Sequence, residues 1–218
     1  MKRFDEKKAQ NFWLNKKYKN AKTDPTRHGD IQRLAFDTKF TLDYIKKYNV
    51  KNILDLGAGT GLLSKEIKAV NRHMNITLVE KNQSFISLPS LKNEFITVNE
   101  DAIKYCEDNK EHFDLILLFG VINSIEKLNS FKLYSLIASN MNSKSILIIK
   151  HQCGLFDEFV VDNFSEDLKT FYTARYPFHM EELEFLKTLF SVNVFDIYPE
   201  QLNKHKNTHF FAYVCEKK

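Results

Sequence analysis

The sequence has few of the residues that mark small secreted or metal-binding proteins. Its 218 residues include three cysteines, Cys106, Cys153 and Cys215, which lie far apart and form no CxxC pair. This spacing argues against a disulfide framework and a zinc site, and it favours a reducing, cytoplasmic compartment. No apolar run approaches the roughly 18 residues of a membrane span. The charged start MKRFDEKKAQNFW lacks the apolar core of a signal peptide, so we expect no membrane partner.

A strong excess of charge is also missing. The net charge is +4, although positions 1–28 hold nine basic and only three acidic residues. This basic segment is typical of a solvated helical arm; the alternative is an arm that faces an anionic substrate. No basic stripe interleaved with aromatic residues is visible, as RNA binding would require. We therefore expect no nucleic-acid partner.

What the sequence does contain is an alternation of short apolar runs and helical patterns. Continuous apolar runs are typical of strands that are covered on both faces, as in a parallel sheet flanked by helices. The predicted strands of this kind are, in chain order, 52–57, 76–82, 95–101, 113–120 and 145–151. Two further runs, 192–199 and 208–217, are joined by eight residues, too few for a helical crossover. These two strands should therefore pair antiparallel.

This alternation predicts a single α/β domain. Its doubly wound, mostly parallel seven-stranded sheet should end in an antiparallel C-terminal β-hairpin. The parts are a helical N-terminal arm, a cofactor-binding core, a helical insertion on the substrate side after strand 5, and the C-terminal β-hairpin. They span residues 1–45, 46–153, 154–190 and 191–218. Ligands of such sheets bind beyond the carboxyl ends of the strands, where both helical regions are placed to cover them.

Glycine is scarce, yet three of the six glycines follow the first predicted strand within five positions. Gly57, Gly59 and Gly61 form GxGxG between that strand and a helix. Glycine serves where the backbone takes unusual dihedral angles or where a ligand comes close. The spacing is not the GxGxxG of dinucleotide sites, and no GK[ST] ending follows as in a P-loop. Nicotinamide, flavin and nucleoside triphosphate cofactors therefore lose support.

With Asp55 the pattern becomes DxGxGxG. This resembles motif I of the class I S-adenosylmethionine-dependent methyltransferases, which have a Rossmann-like, seven-stranded fold. The resemblance extends over about residues 52–218, because the last two strands of that family are also antiparallel. It implies S-adenosylmethionine as cofactor, S-adenosylhomocysteine as product and methyl transfer as the reaction. The alternative is a structural glycine turn in another kind of α/β protein.

The predicted cofactor-binding residues lie at strand ends. Asp55 is expected to meet the cofactor's ammonium group, and backbone N–H groups that open the next helix are expected to meet its carboxylate. Glu80 ends the second strand, where a carboxylate accepts both ribose hydroxyls. The resemblance places Asp101 at the adenine, although Glu100 competes for this role. The predicted set is Asp55, Gly57, Ala58, Gly59, Gly61, Glu80, Lys81, Asp101, Ala102, Phe119 and Gly120.

The end of the fourth strand, LFGVINSI, narrows the chemistry. The resemblance places Phe119 and Gly120 at the reactive side of the cofactor. The Asn/Asp-Pro-Pro-aromatic motif of adenine- and glutamine-specific methyltransferases is absent here, and so are the paired acids of metal-dependent catechol-type enzymes. We therefore expect no metal and no methylation of DNA bases or protein glutamine.

The acceptor side is predicted from histidines and cations. Methyl transfer is an in-line displacement that depends on positioning, and a hydroxyl acceptor also benefits from a general base. His151, directly after the fifth strand, is the predicted catalytic residue; a structural histidine that closes this strand is an equal alternative. Arg27, Lys150 and Arg175 are candidates for holding an anion. The predicted substrate-binding set is Tyr18, Arg27, His28, Lys150, Arg175 and His209.

The stretch from His151 to NTHFF looks similar to small-molecule methyltransferases of bacterial biosynthetic pathways. We expect a small polar acceptor, and the leading hypothesis is O-methylation of a sugar or sugar-phosphate. N-methylation of a small amine is the second hypothesis. A domain that binds S-adenosylmethionine or a partner without catalysis is the alternative from a different class. The sequence predicts no oligomeric state.

Overall fold

The computed structural model of this chain describes residues 3–18, 31–165, 170–203 and 206–218. A seven-stranded sheet lies at its centre, in the order β3-β2-β1-β4-β5-β9-β8. The strands of the structure are β1 (Asn52–Leu56), β2 (Asn75–Val79), β3 (Ile96–Val98), β4 (Leu115–Phe119), β5 (Ile146–Gly154), β6 (Phe159–Ser165), β7 (Thr170–Tyr176), β8 (Phe190–Asp196) and β9 (Thr208–Lys217). The first five strands run parallel, and β9 runs antiparallel to both β5 and β8. The predicted sheet with its antiparallel C-terminal pair is confirmed.

Helices cover both faces of this sheet. They are α1 (Glu6–Leu14), α2 (Ile31–Tyr48), α3 (Leu62–Val70), α4 (Gln83–Ile86), α5 (Pro89–Lys92), α6 (Ala102–Asp108), α7 (Lys127–Asn140) and α8 (His179–Leu189). Successive side chains of a strand point to opposite faces. Ile53 accordingly packs in one apolar cluster with Ile45 of α2, and Leu54 packs in the other with Leu133 of α7. None of the helices in the described parts combines the length and apolar character that crossing a bilayer requires.

Residues 154–190 differ from the predicted helical insertion. β6 and β7 pair antiparallel as a hairpin outside the main sheet, and α8 is the helix that follows them. The strand sequences FVVDNFS and TFYTARY are rich in aromatic and β-branched residues, which favour extended backbone. The prediction of a helical insertion is therefore wrong for the hairpin and right for α8.

The N-terminal arm is helical as predicted in α1 and in α2, whereas residues 19–30 lie outside the described ranges. α1 packs against β7, with the rings of Phe12 and Tyr172 5.3 Å apart. At its other end the arm is held by Asn82, whose side-chain amide donates to the carbonyl oxygens of Trp13 at 2.7 Å and Lys16 at 2.9 Å. α1 and the β6–β7 hairpin therefore lie together, over the carboxyl ends of the central strands.

Candidate cofactor and acceptor site

A cavity of about 1020 Å³ lies at the carboxyl ends of β1, β2, β4 and β5. Its walls come from the loop after β1, from the acids that follow β2 and β3, from the ends of β4 and β5, and from α1 and the hairpin. The volume is at the upper end of the range for small-molecule sites. It therefore leaves room for a cofactor and an acceptor side by side.

The glycine loop between β1 and α3 forms one end of this cavity. Gly57, Gly59 and Gly61 have φ values of +72°, +56° and +70°, in the left-handed region that favours glycine. A Cβ atom on Gly57 would lie 2.3 Å from Cγ2 of Val121, and one on Gly61 would lie 2.8 Å from Cδ2 of Leu91. At these two positions glycine is therefore favoured because side chains of the protein itself lie close to the backbone. Gly61 is also not among the cavity-lining residues, unlike Gly57 and Gly59.

Asp55 lies at the cavity wall with 4% of its surface exposed. Its Oδ2 accepts a hydrogen bond from the Ser64 hydroxyl at 2.6 Å. Burial, with a smaller contribution from the charge of Glu80, raises the pKa of Asp55 to about 6. A carboxylate that burial destabilises gains from a nearby cation. Asp55 therefore fits the role predicted for it toward the ammonium group of the cofactor.

Glu80 connects the end of β2 to the glycine loop. Its Oε2 accepts from the backbone N–H of Gly59 at 3.0 Å, and its Oε1 accepts from that of Asn82 at 2.8 Å. Burial raises the pKa of Glu80, and these backbone donors act against that rise. A carboxylate oxygen can accept two hydrogen bonds, so Oε1 and Oε2 of Glu80 can each accept one more. This arrangement fits the two ribose hydroxyls of S-adenosylmethionine.

The acids after β3 form the next part of the wall. Asp101 caps α6, because its Oδ1 accepts from the N–H of Ile103 at 2.9 Å. The other oxygen of Asp101, Oδ2, lies 3.6 Å from Nζ of Lys81. Glu100 is paired with Lys104 at 2.5 Å. Both acids line the cavity together with Lys81 and Ala102. The choice between Asp101 and Glu100 at the adenine stays open.

The end of β4 opens onto the cavity as predicted. Phe119 and Gly120 both line it. Gly120 has a φ of +73°, and a Cβ atom placed there would meet nothing within 4 Å. The site thus combines an open backbone at β4, a glycine loop, the buried acid Asp55 and the half-buried acid Glu80, which together fit a cofactor of this shape and charge.

The acceptor end holds a cluster that the sequence analysis missed. Nζ of Lys150 donates to Oδ2 of Asp37 at 2.7 Å and to the Tyr198 hydroxyl at 2.9 Å. The Tyr198 hydroxyl in turn donates to Oδ1 of Asp37 at 2.7 Å. All three side chains line the cavity. Lys150 is therefore placed at the site as predicted, but its charge is already balanced by Asp37.

Amide side chains fix the loop that follows β4. Nδ2 of Asn123 donates to the carbonyl oxygens of Gln152 and Arg175, at 2.8 Å each. Nε2 of Gln152 donates to Oγ1 of Thr208 at 2.6 Å. Asn123, Gln152 and Thr208 line the cavity and present further polar atoms at its acceptor end. These residues carry no local sequence signal, because their partners lie on other strands.

His151 lies at the strand end predicted for it and contributes to the cavity wall, but its side chain is fully buried. Neither ring nitrogen has a hydrogen-bond partner within the described residues, and Nε2 lies 3.6 Å from Oε1 of Glu182. Burial, followed by the charges of Arg175 and Lys150, lowers the pKa of His151 to about 3. A ring that is fully buried is not placed to reach an acceptor, and burial disfavours the imidazolium that a base would become. The geometry therefore does not favour His151 as the catalytic base.

Other predicted substrate residues lie elsewhere. Arg175 is 2% exposed, is not among the lining residues, and donates to Ile125 O at 3.0 Å and to Glu158 Oε2 at 2.9 Å. It ties the hairpin to the loop after β4 and does not present a free cation to the cavity. His209 points away from the cavity to Asp196, with Nδ1 and Oδ2 2.7 Å apart.

Three further predicted residues contribute nothing to the described cavity wall. Tyr18 is half-buried but is not among the lining residues. Arg27 and His28 lie outside the described residues. In the described ranges no group of three or more His, Cys, Asp or Glu side chains is arranged to hold a metal ion. The absence of a metal stays a prediction.

Part of the chain is similar to known proteins. Residues 31–119 match the family model described as methyltransferase small domain. A polyamine aminopropyltransferase of Oceanobacillus iheyensis is 24% identical over 136 residues, which cover 55% of this chain and 27% of the relative. An uncharacterized RNA methyltransferase of Mycoplasma mobile is 27% identical over 148 residues, covering 64% of this chain and 39% of the relative. The chain thus spans less than half the length of these two relatives.

A solved structure shows the same fold over most of the chain. The 1,6-didemethyltoxoflavin-N1-methyltransferase of Burkholderia thailandensis, with bound 1,6-didemethyltoxoflavin and S-adenosylhomocysteine, has a TM-score of 0.64 and 14% sequence identity. The match covers 87% of this chain and 80% of that one. This likeness shows that the chain shares the Rossmann-like fold of that methyltransferase. The predicted fold is confirmed, and the S-adenosylhomocysteine bound to that protein agrees with the cofactor predicted for this chain.

Proposed function

We propose that this chain is an S-adenosylmethionine-dependent methyltransferase that acts on a small polar acceptor. The observation that carries the proposal is the continuity of the cavity. It runs from Glu80 and the glycine loop, past Phe119 and Gly120, to the Lys150–Asp37–Tyr198 cluster. A donor held at the first end presents its reactive group toward the second, which is the positioning that methyl transfer requires.

The cover over the cavity supports a small acceptor. Trp13 of α1 and Val161 and Tyr172 of the hairpin line the cavity from the side opposite the sheet. An acceptor is therefore surrounded by protein, as in small-molecule sites, and does not lie on an open surface. The resemblance to an RNA methyltransferase makes RNA an outcome that the test must include.

The lining favours an acceptor with flat apolar faces and polar edges. Aromatic residues of the wall are Trp13, Phe85, Phe119, Phe159, Phe164, Tyr172, Tyr176, Tyr198 and Phe210. Polar atoms of Gln152 and Asn123 lie between them. Lys150 is neutralised by Asp37, and Arg175 is outside the wall. Arg33 and Lys206 also line the cavity, however, so the lining is compatible with a phosphate group on the acceptor. Transfer to a hydroxyl, as in a sugar, a sugar-phosphate or another polar ring, is the first proposal.

A small amine is the second proposal, and one observation favours it. A neutral amine needs less help from a general base than a hydroxyl does, and the fully buried ring of His151 is not placed to act as one. The relative named as a polyamine aminopropyltransferase agrees with an amine acceptor.

The test is transfer of an isotope-labelled methyl group from S-adenosylmethionine to sugars, sugar-phosphates, hydroxylated ring compounds, small amines and RNA. We expect label in a hydroxyl compound, and calorimetry should show binding of S-adenosylmethionine but not of NAD. Label in amines alone selects the second proposal, and label in RNA alone overturns both. Cofactor binding without transfer to any class makes the chain a binding module.

A further inference from the structure

Asp37 is a buried acid at the cavity wall for which cofactor binding provides no role. It comes from α2, which precedes the glycine loop in the chain, and it is 7% exposed. Its partners come from β5 and from the segment after β8, separated from it by 113 and 161 positions. Burying an ion pair is seldom favourable by itself, because two charges lose their hydration. A cluster of this kind at a cavity wall is therefore a candidate for chemistry.

We propose that Asp37 is the general base that takes the proton of the methyl acceptor, with Lys150 and Tyr198 as positioning residues. This inference rests on the proposed function. Asp37 lines the acceptor end of the cavity. Its neighbour Lys150 lies over the ring of Phe119, which marks the end of β4 beside the expected reactive group. The carboxylate is thus placed on the side where a nucleophile would stand.

The hydrogen bonds leave Asp37 able to act. Lys150 donates to one carboxylate oxygen and Tyr198 to the other, one bond each. A carboxylate has about four acceptor positions, so each oxygen has capacity for another donor. An acceptor hydroxyl that enters the cavity supplies such a donor. The two existing bonds fix the carboxylate plane, which is the orientation that a positioned base requires.

The step is balanced within the site. The hydroxyl proton of the acceptor passes to a carboxylate oxygen of Asp37, and the electron pair of the broken O–H bond stays on oxygen. That oxygen forms the new bond to the methyl carbon as the carbon–sulfur bond of the donor breaks, with its electron pair going to sulfur. Asp37 is left neutral and returns its proton to solvent when the product leaves.

The first test compares Asp37→Asn with Asp43→Asn, an exposed site on the same helix. Asn keeps the shape and an oxygen that can accept from Tyr198, but it cannot take a proton. For the acceptor that the labelling experiment identifies, we expect single-turnover methyl transfer to fall about 100-fold in Asp37→Asn. The affinity for S-adenosylhomocysteine, measured by calorimetry, should stay within two-fold, and Asp43→Asn should match the wild type in both measurements.

Two further readouts separate a base from a structural clamp. The loss in Asp37→Asn should shrink as the acceptor hydroxyl is made more acidic, because an acidic hydroxyl needs less help. Tyr198→Phe, which keeps the carboxylate, should lose only about ten-fold. Equal losses across acceptors of different acidity, or a full rate in Asp37→Asn, would overturn the assignment. A fall in S-adenosylhomocysteine affinity or folding stability that accounts for the whole loss would make Asp37 a clamp only.

A crystal structure with S-adenosylhomocysteine provides an answer that does not depend on the acceptor. An oxygen atom of water or of a soaked hydroxyl compound should lie about 2.6–3.0 Å from a carboxylate oxygen of Asp37, on the sulfur side. A carboxylate sealed from the cavity in that complex would refute the base. A wild-type protein that binds no S-adenosylhomocysteine at all would instead refute the proposed function, so the two failures are distinguishable.

Discussion

The two ends of the cavity are built in different ways. The cofactor end uses backbone atoms of one loop and acids at the ends of neighbouring strands, all within residues 55–102. The acceptor end uses side chains from α2, β5, the hairpin and residues 198–210, which meet only in the folded chain. A site made from local backbone is fixed by the fold itself, whereas a site made from distant side chains can change without altering the fold.

The strongest test of this difference is Gly57→Ala. The left-handed backbone at this position costs about 1–2 kcal/mol with alanine, and the overlap with Val121 adds about 1–3 kcal/mol. We expect the free energy of unfolding, from urea denaturation, to fall by about 3 kcal/mol. Gly120→Ala is the matched control, because it has the same φ and open space around its Cβ position. It should lose only about 1–2 kcal/mol.

A double substitution sharpens this test. Val121→Ala removes the atom that lies 2.3 Å from the Cβ position of Gly57. When Gly57→Ala is added to the Val121→Ala protein, the further fall in the free energy of unfolding should be only as large as that caused by Gly120→Ala. A strictly additive result would show that overlap with Val121 is not the reason for glycine at this position.

The second largest effect is expected at Glu80. Hydrogen bonds to a charged group contribute about 1.5–3 kcal/mol each, so Glu80→Gln should weaken S-adenosylhomocysteine binding about 100-fold by calorimetry. The two oxygens of Glu80 also accept from the N–H groups of Gly59 and Asn82, and the carboxamide of Gln has only one oxygen to replace them. Glu107→Gln is the control, since Glu107 is exposed on α6 and is not among the cavity-lining residues. A loss below five-fold for Glu80→Gln would remove it from the ribose site.

This contrast explains what could be predicted from the sequence. The strands follow from apolar runs and the antiparallel C-terminal pair follows from loop length, and Asp55, Gly57 and Glu80 are recognisable because each lies at the carboxyl end of a predicted strand. The β6–β7 hairpin was not predicted, because its aromatic and acidic residues fit either a helix or an edge strand that is half exposed. Strand pairing across the hairpin, and not local composition, decides its structure.

The acceptor end could not be predicted for a different reason. Asp37 and Tyr198 are 161 positions apart, and each occurs in a segment whose pattern indicates only a helix or a strand end. The sequence favours His151 for its residue type and its place at the end of the fifth strand, and Arg175 and His209 mainly for their residue types. Burial and pairing decide their roles instead, and neither property can be read from a single residue type.

The third effect concerns the pH dependence of cofactor binding. Burial raises the pKa of Asp55 to about 6, so the carboxyl group of the free protein holds its proton below that pH. An ammonium group binds the ionised form, and affinity should therefore rise about ten-fold between pH 5 and pH 7.5. Calorimetry with S-adenosylhomocysteine measures this rise. The Asp55→Asn protein should bind S-adenosylhomocysteine weakly, and its affinity should not rise with pH, apart from a smaller contribution of Glu80. A pH profile in Asp55→Asn that equals that of the wild type contradicts the assignment.

The smallest effects are expected at the arm, the element that touches both ends of the cavity. Asn82 is 3% exposed and holds Trp13 and Lys16 through two backbone carbonyl groups, whereas Lys8 and Asp162 form an exposed pair 2.5 Å apart. Exposed pairs contribute about 0–1 kcal/mol, and buried hydrogen bonds cost more when one partner is removed. Asn82→Ala should therefore speed cofactor release about five-fold, and Asp162→Asn less than two-fold.

Trp13 provides the measurement, because it is the chain's one tryptophan and lines the cavity. Its fluorescence in stopped-flow displacement of S-adenosylhomocysteine reports the release rate directly. The Asn82→Ala protein keeps the backbone N–H that donates to Glu80, so the ribose contact itself is preserved. Equal release rates in the two variants would mean that the arm does not retain the cofactor. The arm would then belong to the acceptor end of the cavity and not to the cofactor end.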